Sequence, residues 1–190
     1  MGRFDESLTE MKAAQELDPL SLIISTQVGR LWLEARRYDQ AIAQLRQTLS
    51  MDRNFAQARL VLSEVYALKR MYPEAIAELR AGIESGGGGP VFMIGLGYTY
   101  GVSGNEVEAR KILAEMLARS GRDYFPAWAI ATVYVGLGDK DRALQWLEKA
   151  VEERGECWLK TDPLYDPLRS DPRFRDLLRR LNLAPNREVP

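Results

Sequence analysis

The sequence predicts an all-α protein that is built from repeated helix pairs. A unit of 34 residues recurs in its 190 residues without a gap, and the copies begin at Leu22, Ala56, Pro90 and Tyr124. Within a unit, apolar residues recur at i, i+3 and i+4, which is the spacing of one helix face, before and after a short break. Because a single helix pair cannot cover its own apolar face, successive units must stack.

Three positions of the repeat, here called columns, carry the same kind of residue in every unit and indicate how the helices pack. The aromatic column is Trp32, Tyr66, Tyr100 and Tyr134; the small column is Ala41, Ala75, Ala109 and Ala143; and the large aliphatic column is Leu45, Leu79, Leu113 and Leu147. A small residue is needed where two helices cross, because a large side chain would hold the backbones apart. The break in apolar spacing falls at 35–37 in the first unit and at 138–139 in the fourth. Each unit is therefore predicted to be a helix, a tight turn and a second helix.

This pattern resembles the tetratricopeptide repeat over about residues 3–155. That family has W-x2-L-G-x2-Y, then Ala, a large residue and Pro within 34 residues; here Trp is replaced at Ser25, Arg59, Met93 and Ala127. The resemblance implies a right-handed superhelical array of antiparallel helix pairs, with a concave face lined by the first helices. It also implies a protein-binding scaffold rather than an enzyme.

The expected organisation is a single array with four full repeats. These are residues 22–55, 56–89, 90–123 and 124–157, preceded by a half repeat at 2–21 and followed by a C-terminal cap at 158–183 and a frayed tail at 184–190. The half repeat carries an apolar stripe of Phe4, Leu8 and Met11. A bare stripe of this kind suggests either a fragment of a longer protein or a face that a partner covers; an ordinary solvated capping helix is the alternative.

Three Asp-Pro pairs lie in the C-terminal cap, at 162–163, 166–167 and 171–172. Asp at a helix cap followed by Pro at the first helical position is a common helix start, so each pair is predicted to begin a helix. The stretch 162–183 is similar to the closing segment of bacterial proteins that join an effector domain (a winged-helix regulator, a Ser/Thr kinase or a cyclase) to such an array. That resemblance implies a module of a bacterial signalling protein.

Composition excludes several classes of function. The net charge is −1, which gives no field to attract nucleic acid or acidic lipid. The chain has no histidine and one cysteine, Cys157, so neither an internal disulfide nor a zinc site is expected. With no signal peptide and no apolar run of membrane length, a cytoplasmic protein is expected. We expect no catalytic residue, no cofactor and no metal.

The concave face is the predicted binding site. In this family, defined positions of each first helix contact the ligand, and they place the following partner-binding residues in an apolar groove: Leu60, Val61, Ile94, Gly95, Tyr98, Gly101, Val102, Phe125, Trp128 and Val135. Two interior glycines, Gly95 and Gly101, suggest that something approaches the helix backbone closely. A clamp for a peptide carboxylate is not supported, because Thr26 and Arg30 stand where the family's clamp has Lys and Asn.

Alternatives to binding a partner peptide or helix remain open at this point. The chain could pair with a second copy as a homodimer, through the bare stripe or the groove. It could bind a small ligand as a sensor, which a closed cavity lined by Gly95, Tyr98 and Trp128 would favour. Finally, its own C-terminal residues could fill the groove, namely Trp158, Leu164, Tyr165 and Leu168.

Overall fold

The computed structural model describes residues 2–85, 89–119, 125–153 and 159–181, and over these residues it is helical with no strand. The α-helices are α1 (Gly2–Leu17), α2 (Leu22–Glu34), α3 (Tyr38–Met51), α4 (Ala56–Leu68), α5 (Tyr72–Glu84), α6 (Pro90–Val102), α7 (Glu106–Arg119), α8 (Ala127–Gly136), α9 (Lys140–Glu152) and α10 (Pro172–Arg180). A 3-10 helix, Pro163–Leu168, precedes α10. The predicted all-α fold is confirmed; the expected frayed tail and Trp158 lie outside the described residues.

The helices form two layers of a stacked array. The pairs α2–α3, α4–α5, α6–α7 and α8–α9 pack internally, and α2, α4, α6 and α8 also contact one another in sequence. The four alanines of the small column are fully buried, and the leucines of the large column lie beside them in the core. The helix crossings are therefore close where the sequence pattern requires it.

Each first helix ends in the same left-handed turn. The residue at this point has a positive φ of 59° to 83° in every unit, and it is Arg36, Arg70, Gly104 or Gly138. The following residue donates its backbone N–H to the carbonyl oxygen of the aromatic residue of the same helix, for example from Arg37 to Trp32 at 2.8 Å. This is a Schellman-type helix end, and it confirms the tight turn predicted inside each unit.

The N-terminal half repeat packs onto the first full unit. The ring centroids of Phe4 and Trp32 lie 6.1 Å apart, and Leu8 is buried. The apolar stripe of α1, which the sequence suggests is bare, is thus covered in part by α2. The exposed apolar side chains lie instead where α1 passes into α2, at Leu17, Leu20 and Ile23.

The C-terminal block follows the predicted caps at two of its three Asp-Pro pairs. The carboxylates of Asp162 and Asp171 accept backbone N–H groups from Leu164 and Arg173, at 2.8 and 2.9 Å. The expectation for Asp166 is wrong, because the 3-10 helix runs through this residue and Pro167. Its carboxylate instead accepts hydrogen bonds from the guanidinium of Arg36, just beyond α2, at 2.7 and 3.2 Å. The last helix, α10, then packs on α9.

Candidate functional site

The concave face contains a cavity of about 490 Å³. Its walls come from the first helices α2, α4, α6 and α8 and from the C-terminal segment. The lining residues are Gln27, Arg30, Glu34, Gln57, Leu60, Ser63, Glu64, Ala67, Val91, Ile94, Gly95, Tyr98, Thr99, Trp128, Thr132, Asp162, Leu164 and Tyr165. A volume in this range suits a small molecule or one or two side chains of a partner.

One repeat position contributes to the cavity in all four units. The ninth residue of each 34-residue unit is Arg30, Glu64, Tyr98 or Thr132, and each of these lines the cavity. The fifth residue does so in three units, through Leu60, Ile94 and Trp128. The repeat therefore projects a column of side chains from adjacent helices into one space.

The C-terminal segment forms one wall of the cavity. The hydroxyl groups of Tyr165 and Thr132 are hydrogen-bonded at 2.9 Å in a buried position. Asp166 holds the same segment against the end of α2 through Arg36. The C-terminal residues therefore fill part of the groove, as one of the alternatives from the sequence proposed. Leu164 and Tyr165 line the cavity and Leu168 is buried, but the cavity itself remains open.

The ten residues predicted from the sequence fall into two groups. Five of them line the cavity: Leu60, Ile94, Gly95, Tyr98 and Trp128. The other five lie outside the lining: Val61, Gly101, Val102, Phe125 and Val135. Of these, Val61 has no exposed surface, while Phe125 and Val135 are also buried, so they support the walls by packing.

The two interior glycines of α6 have a structural explanation. A Cβ at Gly101 would lie 2.5 Å from the carbonyl carbon of Gly136, and one at Gly95 would lie 2.6 Å from Leu79 Cδ2. The group that approaches the backbone at Gly101 is thus helix α8, and at Gly95 it is a side chain of α5. These contacts explain Gly95 and Gly101 without a ligand.

The cavity carries charges that the predicted apolar groove did not include. Arg30 Nη1 lies 3.4 Å from Glu64 Oε2, and Glu34 and Asp162 lie close enough to interact with the same guanidinium. The side chains of Arg30 and Glu64 are only 27% and 17% exposed. Arg30 and Glu64 stand at the ninth position of their units, which contacts ligand in this family, but the predicted groove kept only apolar residues, tyrosine and glycine from these positions.

Burial controls the protonation of these acids. Burial raises the pKa of Glu64, against the opposing effect of Arg30, and burial likewise raises the pKa of Glu34. Burial together with the charge of Glu64 raises the pKa of Asp162 to about 7. Burial also raises the pKa of the Tyr98 phenol, which stays protonated. The acids are therefore held in a poorly solvated space.

The described ranges contain no group of three or more His, Cys, Asp or Glu side chains that could hold a metal ion. Within the same ranges, no helix has both the length and the apolar character that crossing a bilayer requires. Cys157 lies outside them.

Two family profiles match the chain, both described as tetratricopeptide repeat. They cover residues 27–90 and 127–157, which together make half of the sequence. This chain is built from tetratricopeptide repeats. Proteins with such repeats generally mediate protein–protein interactions and are usually non-catalytic scaffolds. No curated protein matches the chain in sequence.

Solved structures of tetratricopeptide repeat proteins share this fold at low sequence identity. One from Parabacteroides merdae is 18% identical, with a TM-score of 0.68 over 99% of this chain and 75% of that chain. A thermophilic one from Thermus thermophilus is 22% identical, with a TM-score of 0.64 over 80% and 83% of the two chains. YrrB, described as having an unusual peptide-binding site, is 18% identical, with a TM-score of 0.52 over 91% and 84%.

Proposed function

We propose that this tetratricopeptide array binds a segment of a partner protein on its concave face, with the cavity as the anchor point. The observation that carries the proposal is the cavity itself, which four successive first helices and the C-terminal segment build together. Buried anchor side chains in a preformed pocket commonly dominate the affinity of such interfaces. The general role of these repeats in protein binding supports the same function.

The wall residues suit an anchoring role. Trp128 and Leu60 are half-buried and face the cavity, so part of each side chain remains available to a partner. The hydrogen bond between Tyr165 and Thr132 fixes the C-terminal wall to α8, the helix that carries Trp128. A rigid pocket of this kind costs a partner less ordering energy than a surface that must first rearrange.

Selection from a random peptide display library against the purified chain tests this proposal. Convergent peptides are expected to bind the wild type and a Val107→Ala control alike, because Val107 is exposed on α7 outside the cavity. The same peptides should bind Trp128→Ala and Leu60→Ala roughly tenfold or more weakly, provided that circular dichroism shows both variants to be folded. Undiminished binding to both cavity variants would contradict the proposal.

A small-ligand sensor is a second candidate, because Gly95, Tyr98 and Trp128 do line one cavity. A metabolite library screened by thermal shift would distinguish it. A compound that stabilises the wild type but neither cavity variant would favour the sensor, whereas stabilisation by selected peptides alone would favour protein binding.

Self-association is a third candidate, favoured by one observation. Leu17, Leu20 and Ile23 are 90%, 78% and 60% exposed at one end of the array. Exposed apolar side chains that cluster can form an interface. Sedimentation analysis should then show a dimer that Leu17→Lys disrupts; a monomer at all concentrations would reject this candidate.

We also propose that the bound partner, or an attached effector domain, belongs to a bacterial signalling system. The likeness of residues 162–183 to the closing segments of effector–array fusions supports this assignment. Sequencing the genomic context and the complete reading frame would test it. An effector domain encoded in the same frame is the expected result, and an unrelated context in every homologous locus would contradict it.

A further inference from the structure

We propose that the cavity binds a cationic group, namely the guanidinium or ammonium of a basic side chain on the partner segment. This inference deepens the proposed function and rests on it. The charged residues that line the cavity are three carboxylates, Glu34, Glu64 and Asp162, and one guanidinium, Arg30. With all four ionised, one positive and three negative charges leave a net charge of −2 on the walls.

Glu64 is held by a long ion pair with Arg30 and not by a hydrogen bond of normal geometry. Its Oε2 atom is completely buried and accepts no hydrogen bond from the part of the chain that the structure describes. Arg30 lies at ion-pair distance, 3.4 Å, but interacts with Glu34 and Asp162 as well. The Glu64 side chain is 17% exposed and lines the cavity, so its carboxylate can still accept N–H groups from an incoming cation beside this ion pair.

The rest of the lining suits the stem of a long basic side chain. Tyr98, Trp128 and Tyr165 contribute aromatic surface, and Leu60 and Ile94 contribute aliphatic surface. A cation is attracted to the face of an aromatic ring, and the methylene groups of Arg or Lys pack well on apolar walls. An anionic group would be repelled by the three carboxylates, and Arg30, the cation of the lining, is already paired with Glu64.

Two acetylated and amidated pentapeptides that differ in one residue test the inference. One has arginine between small residues, and the other has citrulline, which is neutral and nearly the same shape. Titration of the full chain, followed by nuclear magnetic resonance, should show the Trp128 indole signal shifting with the arginine peptide. Its affinity should exceed that of the citrulline peptide by roughly tenfold or more. Equal affinities would overturn the inference.

Substitution of the acids provides a second, independent test. Glu64→Gln keeps the shape of the side chain and removes its charge, and it should abolish most of the preference for arginine. Asp162→Asn should reduce the preference while retaining the helix cap, because Asn caps as well as Asp. Glu106→Gln, on the exposed face of α7, is the matched control and should bind as the wild type does. An unchanged preference in folded Glu64→Gln would overturn the inference.

The arginine preference should also depend on pH. Asp162 is faced by Glu64, Arg30, Glu34, Tyr98 and Arg169, and its carboxyl has a pKa of about 7. A cation binds the ionised form better, so affinity for the arginine peptide should rise between about pH 6 and about pH 8. Weaker binding at the higher pH would contradict a cation site.

Failure of this inference and failure of the proposed function give different results. If display selects cavity-binding peptides without a basic residue, protein binding stands and the cation site is rejected. If N-acetylarginine methylamide binds as tightly as the arginine pentapeptide and display selects nothing, the cation site stands and its ligand is a free small cation. Tighter binding by the pentapeptide supports both.

Discussion

The two halves of the concave face are built in different ways. Between α2 and α4, the ninth positions supply Arg30 and Glu64, which meet as a charged pair on the cavity wall. Between α6 and α8, glycines let the helices touch: a Cβ at Gly136 would lie 2.6 Å from the carbonyl oxygen of Tyr98. One half is therefore polar and open, and the other is apolar and closely packed.

This difference shows that a groove position in a repeat is not automatically a contact position. Gly101 and Val135 occupy the twelfth position of their 34-residue units, yet one lies against the α8 backbone and the other is buried. Where adjacent first helices approach closely, the positions between them become interior. In the second unit, by contrast, the twelfth residue, Ala67, lines the cavity together with the fifth and ninth residues, Leu60 and Glu64.

The closely packed half should be sensitive to any side chain placed between α6 and α8. Gly101→Ala would place a methyl group against the Gly136 backbone, which cannot move aside as a side chain can. Overpacking should outweigh the gain in helix propensity and destabilise the fold by about 1–3 kcal/mol in chemical denaturation. Gly89→Ala is the control, because no atom lies within 4 Å of its added Cβ, and it should change stability by less than about 0.5 kcal/mol. Equal effects of the two variants would contradict the account.

The polar half should respond to pH through Asp162. Its folded-state pKa of about 7 lies above the ordinary value of about 3.9, so between these limits the folded chain holds a proton that the unfolded chain releases. The contribution of Asp162 to the free energy of unfolding is fully present below about pH 4 and is lost as the pH rises through about 7. Asp162→Asn should therefore stabilise the protein at about pH 8 relative to the wild type, by about 1–4 kcal/mol more than at about pH 4. Urea denaturation at both pH values measures this difference, and a constant difference would contradict the burial of a titrating acid.

The packing of the C-terminal segment against α8 should be stabilised by the buried hydrogen bond between Tyr165 and Thr132. Tyr165→Phe removes the hydroxyl that is bonded to Thr132 and should cost about 1 kcal/mol. Tyr100→Phe is the matched control, because its hydroxyl accepts a hydrogen bond from Arg80 at an exposed site. The control should cost less than about 0.5 kcal/mol, as read from thermal unfolding. A larger loss of stability in Tyr100→Phe than in Tyr165→Phe would contradict the stabilising role of the Tyr165–Thr132 hydrogen bond.

The smallest effect concerns the turns that end the first helices. Arg70 adopts φ 61°, where the third and fourth units have glycine. Arg70→Gly should relieve this conformation and raise the free energy of unfolding by about 0.5 kcal/mol, after the entropic cost of a glycine in the unfolded chain. The reverse change, Gly138→Arg, should destabilise. Destabilisation by both changes would show that side-chain contacts, rather than backbone strain, decide this position.

Much of the fold could be predicted from the sequence because the repeat is local and periodic. The alanine and leucine columns identified the core, and the turns fell where the apolar spacing broke. The C-terminal wall was harder, because Arg36 and Asp166 meet across 130 positions and no periodicity joins them. The role of Gly101 was also hidden, because a glycine that admits a ligand and one that admits a neighbouring helix look the same in a sequence.

A crystal structure of the full chain with a display-selected peptide tests partner binding and the cation site together. We predict a basic side chain of the peptide in the cavity, within hydrogen-bonding distance of Glu64, with the C-terminal wall at Tyr165 still in place. A peptide bound on the outer helices, or one that enters only by displacing the segment 159–181, would contradict it.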